Sequence, residues 1–254
     1  MSLTVVVIAR NEGRVIARCL ESVAWADEII VLDGASTDDT ADIARSLNAK
    51  VTISADWQGF GPQKNRAIEF ATGDWILSLD ADEWITPELR AEIEQAVRAP
   101  GDHAAFRLPR LSSYCGRFMR HSGWWPDYVT RLFRRGAARF SPDLVHERLI
   151  VDGATGTLSA SLMHEAIVDL DDALHKMNAY STAGAAMQFE RGKTGSLAGA
   201  VLHGAWTFVR TYVLRRGFLD GREGFMLAVS NAEGAYYRYL KLALLQEKRG
   251  MGDE

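Results

Sequence analysis

Residues 3–9 are apolar and β-branched at nearly every position, the pattern of a strand covered on both faces. A polar turn, Arg10-Asn11-Glu12-Gly13, follows it. Val15, Ile16, Cys19, Leu20 and Val23 then recur at helical spacing. Residues 28–32 predict a second strand. Ile43, Ala44 and Leu47 give the buried face of a helix entered through Ser36 or Asp38 as N-cap. Residues 51–54 predict a third strand, Gly61-Pro62 opens a helix carrying Ala67, Ile68 and Phe70, and residues 75–79 predict a fourth strand. Strand and helix thus alternate four times, which argues for an α/β fold with a mainly parallel sheet and helices on both faces.

Pro87 starts a further helix through Leu89, Ile93 and Val97, which Pro100-Gly101 ends. Residues 104–162 turn to short β segments and turns and extend the same sheet with mixed strands. Three helical stretches follow, at 171–191, 197–215 and 224–246.

The formal net charge of −4 gives no reason to expect nucleic-acid binding. Two cysteines, Cys19 and Cys115, are too few for a disulfide framework and suit a reducing, cytoplasmic setting. No apolar run is long enough to span a bilayer, and residues 3–9 are too short for a signal segment. A Gly-x-Gly-x-x-Gly after the first strand and a Gly-x-x-x-x-Gly-Lys-Ser/Thr are both missing, which disfavours a dinucleotide oxidoreductase and a P-loop ATPase.

Ligands of parallel sheets sit beyond the carboxyl ends of the strands. Three polar clusters fall there: Arg10-Asn11-Glu12, Asp33 with Ser36-Thr37-Asp38, and Asp80-Ala81-Asp82-Glu83. In an extended backbone Asp80 and Asp82 would face together. Two adjacent carboxylates suit a hard cation such as Mg²⁺ or Mn²⁺, which fills its shell with water and substrate phosphates. A solvated strand end or a helix cap would use the same residues. A second Asp-x-Asp, Asp169-Leu170-Asp171, reads better as a cap of the next helix.

Several stretches together resemble the family 2 glycosyltransferases, nucleotide-sugar-dependent inverting enzymes of the GT-A fold. They are Ile8-Ala9-Arg10-Asn11-Glu12, Val31-Leu32-Asp33-Gly34-Ala35-Ser36, Gln63-Lys64-Asn65-Arg66-Ala67, and Gly73-Asp74-Trp75 with Leu79-Asp80-Ala81-Asp82-Glu83. Downstream, Gly123-Trp124-Trp125-Pro126-Asp127-Tyr128, Arg131-Leu132-Phe133-Arg134 and Val145-His146-Glu147 resemble the branch of lipopolysaccharide core β-1,4-glucosyltransferases. Many relatives read Asp-Asp-Gly-Ser or Asp-Ser-Gly-Ser where this chain has Asp33-Gly34-Ala35-Ser36.

The resemblance implies a catalytic domain over 1–165, with a donor-nucleotide half at 1–100 and an acceptor half at 101–165, and a helical extension at 166–254. It implies a UDP-sugar donor, met by Ala9, Asn11, Glu12, Asp33, Lys64, Arg66, Asp80 and Ala81. Asp82 would bind the metal, with Asp80 and His164 as further ligands. Glu147 is the first choice of catalytic base and Asp127 the second; His146 would orient the acceptor. Trp124, Trp125 and Tyr128 offer flat faces for an acceptor sugar, or for core packing. Residues 197–216 mix aromatic and aliphatic side chains with Arg210, Arg215 and Arg216, a composition suited to a membrane interface, to packing on the main domain, or to a homodimer. A metal-dependent nucleotidyltransferase and a non-catalytic sugar-nucleotide binding module are the competing functions.

Overall fold

The structure, a computed structural model, describes residues 1–141 and 148–252. The chain forms two compact units, one of residues 1–110 and 127–164, the other of residues 111–126 and 165–254. The first begins with β1 (Leu3–Ala9), α1 (Ile16–Ser22), β2 (Glu28–Asp33), α2 (Thr40–Ser46), β3 (Lys50–Ile53), α3 (Phe60–Glu69), β4 (Trp75–Asp80), β5 (Glu83–Ile85) and α4 (Pro87–Arg98). β6 (His103–Tyr114) runs from this unit into the other, where β7 (Arg117–Phe118) pairs with its end. β8 (Asp127–Arg134), β9 (Ala138–Phe140), β10 (Leu149–Val151), β11 (Ala154–Thr157) and β12 (Leu162–Ile167) complete the strands among the described residues.

The sheet order is β3-β2-β1-β4-β8-β6-β12-β5. β1, β2, β3 and β4 are parallel neighbours, whereas β8 runs antiparallel to both β4 and β6. β1 is buried throughout because it lies in the middle of this half, and its side chains alternate between two cores. Val5 and Val7 pack with Ile16 and Leu20 of α1 and with Leu89 and Ile93 of α4. Val6 and Ile8 pack on the other face with Ala67 of α3. Gly73, just before β4, lies so close to β1 that an added Cβ would sit 2.8 Å from the Thr4 backbone nitrogen.

Local signals fix the helix starts. Thr86 caps α4 by accepting the Leu89 N–H, with Pro87 at the first helical position. At α2 the cap expectation fails. The N-cap position is Asp39, without a side-chain cap bond, while Asp38 turns back to accept from Thr40 and from the Gly13 N–H.

The other unit holds α5 (Leu170–Glu190), α6 (Leu197–Phe208) and α7 (Gly221–Gly252). α5 starts at Asp169, whose side chain accepts the Asp172 N–H. α5 and α6 each pack along α7. The predicted helix at 197–215 departs from α geometry at Val209, where a π-helical segment continues to Leu214. Within this unit Asp220 is buried and accepts from the backbone N–H groups of Arg120 and His121.

Candidate active site

The carboxyl ends of β1, β2 and β4 carry the three polar clusters that the sequence places there. The first two are clasped together. Asn11 stands at φ 58°, its N–H donates to Ser36 Oγ (2.8 Å), and its Oδ1 accepts the Thr37 N–H (2.8 Å). The Glu12 N–H donates to Thr40 Oγ1 (2.8 Å). Asp33 is buried and shapes its own loop: Oδ1 accepts the Ser36 N–H and Oδ2 the Ser36 hydroxyl. Ala9 holds the second loop by accepting the Gly34 N–H at 2.8 Å.

The third cluster departs from the expected alternation. The strand ends at Asp80 and the chain turns through Ala81 and Asp82, so the two carboxylates acquire separate partners. Asp80 meets two cations: Oδ1 pairs with Lys64 Nζ (2.8 Å) and Oδ2 with the Arg131 guanidinium. Burial alone would raise the Asp80 carboxyl, but the Arg131 and Lys64 charges outweigh it and hold it well below the ordinary carboxylate range. Repulsion between neighbouring carboxylates is therefore relieved at Asp80 by the protein itself. Both Asp80 oxygens thus face side-chain cations.

Asp82 faces His164 of β12, with Oδ2 and Nε2 3.4 Å apart. Among the described residues no three His, Cys, Asp or Glu side chains converge as a ready metal cage. One carboxylate and one imidazole nevertheless suit a cation that takes its remaining ligands from water and phosphate.

Glu83 has a part in this site that its motif alone does not assign. It is wholly buried, and its Oε1 accepts from Arg131 (2.7 Å) and Arg110 (3.3 Å). Burial would lower the Arg131 and Arg110 guanidinium values, but the facing carboxylates raise both instead. Glu83 and Arg131 stand in motifs visible in the sequence, whereas Arg110 has no local signal. Cys19 lies beneath the turn, with Sγ 3.6 Å from the Asp80 carbonyl oxygen. Burial and the three acidic neighbours push its thiol up, so it stays protonated.

Arg66 sits at the side of this cluster, bonded to Asp56 (2.8 Å) and Gln63 (3.2 Å). Asn65, from the same motif, has a structural role, since its amide accepts the Phe140 N–H and donates to the Phe140 carbonyl. Asp127 joins the site through Arg110. Tyr128, its neighbour on β8, points to the opposite face and lies against Arg107, 4.9 Å from guanidinium carbon to ring centre. In the other unit, Trp124 packs edge-on against Tyr114 in an apolar cluster and Trp125 lies beside Arg120. Glu147 and His146 lie outside the described residues.

The sequence profile of glycosyl transferase family 2 matches residues 4–149, which runs from β1 to the first residue of β10 with the Asp80–Asp82 turn near its centre. The chain belongs to glycosyl transferase family 2. It is 30% identical over 253 residues to the uncharacterized glycosyltransferase RP128 of Rickettsia prowazekii (strain Madrid E), covering 95% of this chain and 85% of that one. It is 29% identical over 262 residues to the lipopolysaccharide core biosynthesis glycosyltransferase LpsC of Rhizobium meliloti (strain 1021), covering 99% of this chain and 94% of LpsC. Among solved structures, S. aureus TarS 1–349 in complex with UDP superposes with a TM-score of 0.50 at 16% identity, covering 98% of this chain and 92% of that chain. The fold is that of the GT-A glycosyltransferases, and the protein is a glycosyltransferase. The nucleotidyltransferase and the non-catalytic binding module give way to this family assignment.

Proposed function

We propose that the protein moves a hexose from a UDP-sugar to a cell-envelope saccharide or glycolipid such as lipopolysaccharide core, with inversion and with the help of Mg²⁺ or Mn²⁺. The observation that carries this reading is the Asp82–His164 pair beside the Lys64–Asp80–Arg131 chain of charges at the end of β4. That LpsC is named for lipopolysaccharide core biosynthesis and that TarS was solved with UDP favour the same acceptor and donor classes here.

Asn11, Glu12 and Ala9 would line the base and ribose, in a loop that Asp33 keeps in shape through Ser36. Lys64 and Arg66 would add positive charge beside the nucleotide, and Asp80 with Ala81 would border the ribose. Asp82 and His164 would hold the cation, which when bound supplies Lewis-acid neutralisation of the diphosphate. In a single displacement the acceptor oxygen bonds to the anomeric carbon as the bond from that carbon to the diphosphate breaks. The acceptor proton passes to a carboxylate base, for which Glu147 is the first choice and Asp127 the second, with His146 orienting the acceptor. UDP leaves as the other product.

Residues 197–216 give a second, peripheral assignment. Leu197, Val201, Leu202, Trp206, Val213 and Leu214 are exposed together with Arg210, Arg215 and Arg216. Such a surface suits the interface of an anionic membrane on the cytoplasmic side, where a lipid-linked acceptor is found. No helix among the described residues is long and apolar enough to cross a membrane.

The decisive variant is Asp82→Ala. Sugar transfer from a UDP-sugar should fall by about a hundredfold or more while the thermal melt stays near wild type. Wild-type turnover that persists in excess chelator would remove the cation from the scheme.

A further inference from the structure

The buried carboxylate Glu83 links the donor aspartates to Asp127. Its Oε2 accepts the Asp80 N–H at 3.0 Å, which fixes the backbone at the start of the turn. Its Oε1 holds Arg110, and Arg110 in turn reaches Asp127 twice, with Nε at 3.0 Å and the terminal nitrogen NH2 at 2.7 Å. Both of these bonds end on the same oxygen, Oδ2 of Asp127. Among the described residues Oδ1 accepts no hydrogen bond, and the Asp127 side chain is 43% exposed. A carboxylate gripped on one oxygen and open on the other is a directed acceptor.

From this geometry we infer that Asp127 binds a hydroxyl of the acceptor saccharide through Oδ1, and that Arg110 and Glu83 are positioning residues that aim it. This rests on the transferase reading above and takes Asp127 out of competition for the role of base. Holding a hydroxyl leaves the Arg110 pair intact. Taking the hydroxyl's proton on Oδ1 would turn Asp127 into a neutral acid whose Oδ2 still accepts from Arg110 but no longer offers it a charge, leaving the guanidinium to a buried Glu83 already shared with Arg131. The guanidinium beside Asp127 also disfavours a cationic ligand, so a neutral sugar hydroxyl fits the position better than an amine.

The test compares two acceptors on the full chain. A panel of UDP-sugars is first offered with water as the only acceptor, and the fastest-hydrolysed donor is kept. Transfer from that donor to core oligosaccharide released from lipopolysaccharide is then measured. For Asp127→Ala, KM for the oligosaccharide should rise about ten- to hundredfold, a larger effect than any fall in donor hydrolysis. Arg110→Met should raise the same KM about tenfold with UDP affinity unchanged, and Arg110→Lys should restore most of it. A merely structural Arg110 would instead move UDP affinity and melting temperature together, without rescue by lysine. Loss of hydrolysis by about a hundredfold in Asp127→Ala would make Asp127 the base and overturn the inference, as would an unchanged oligosaccharide KM. A wild type that hydrolyses a donor but moves no sugar to the oligosaccharide would overturn the saccharide assignment. A wild type that neither binds UDP nor hydrolyses any of the panel would defeat the transferase reading itself, a result distinguishable from the others.

Discussion

Ala35 is a residue at odds with its backbone. It stands at φ 60° in the second rim loop, where an L side chain costs about 1–2 kcal/mol relative to glycine. The glycine of this loop stands one position earlier, at Gly34. Gly34 has its own reason: an added Cβ would lie 3.3 Å from both the Arg10 Cβ and the Trp57 ring. Ala35→Gly should therefore stabilise the protein by about 0.5–1 kcal/mol after the extra freedom of the unfolded chain is allowed for. A urea titration reads this as a higher midpoint at unchanged slope; a lower midpoint would mean the loop tolerates alanine at no cost. The same scale shows why the site was only partly legible. Asp80, Asp82 and His164 have types that advertise chemistry. The turn at Ala81 and Asp82, which separates the two carboxylates, is decided by Glu83 accepting the Asp80 N–H and by Arg131, which reaches it from far along the chain.

At the scale of elements, Glu28 ties four strands at the end of the sheet opposite the site. From β2 it accepts from Thr4 of β1 (2.7 Å), Lys50 of β3 (2.7 Å), and the Thr72 N–H (2.9 Å) just ahead of β4. Burial alone would raise its carboxyl, but Lys50, Thr72 and Thr4 lower it from 4.5 to about 2. A folded-state value below the unfolded one means that its stabilisation is complete above pH 4.5 and drains away as pH falls toward 2. Between about pH 6 and about pH 3 the urea midpoint should thus fall more for wild type than for Glu28→Gln, and equal falls would show that the knot contributes nothing. The strands tied here were readable because β1, β2 and β4 are short and almost wholly apolar. The three-residue strands β5 and β9 were not, since so few residues show no period. The break from α to π geometry at Val209 also left no trace in a pattern that stays apolar across it.

At the scale of the whole molecule, the two units are not consecutive in the chain. Residues 111–126 join the helical unit, so no single cut along the chain separates the two units. The bonds responsible, such as the Ser122 N–H to the Arg215 carbonyl (2.9 Å), have no local signature. The exposed apolar and basic surface of this unit gives a prediction about the full chain. It should sediment with vesicles containing anionic lipid more than with neutral ones, and Trp206→Glu with Leu202→Glu should weaken that binding about tenfold or more. Equal recovery with both vesicle types, or a double variant that binds as before, would leave the surface to another partner.

The central claim is that Asp82 and His164 complete a cation site that the donor diphosphate shares. Calorimetric titration of UDP with and without Mn²⁺ tests it most directly. Mn²⁺ should tighten UDP binding to the wild type by about tenfold or more, and that gain should vanish in Asp82→Ala. UDP binding equally well without Mn²⁺, or a gain that survives loss of the Asp82 carboxylate, would contradict it.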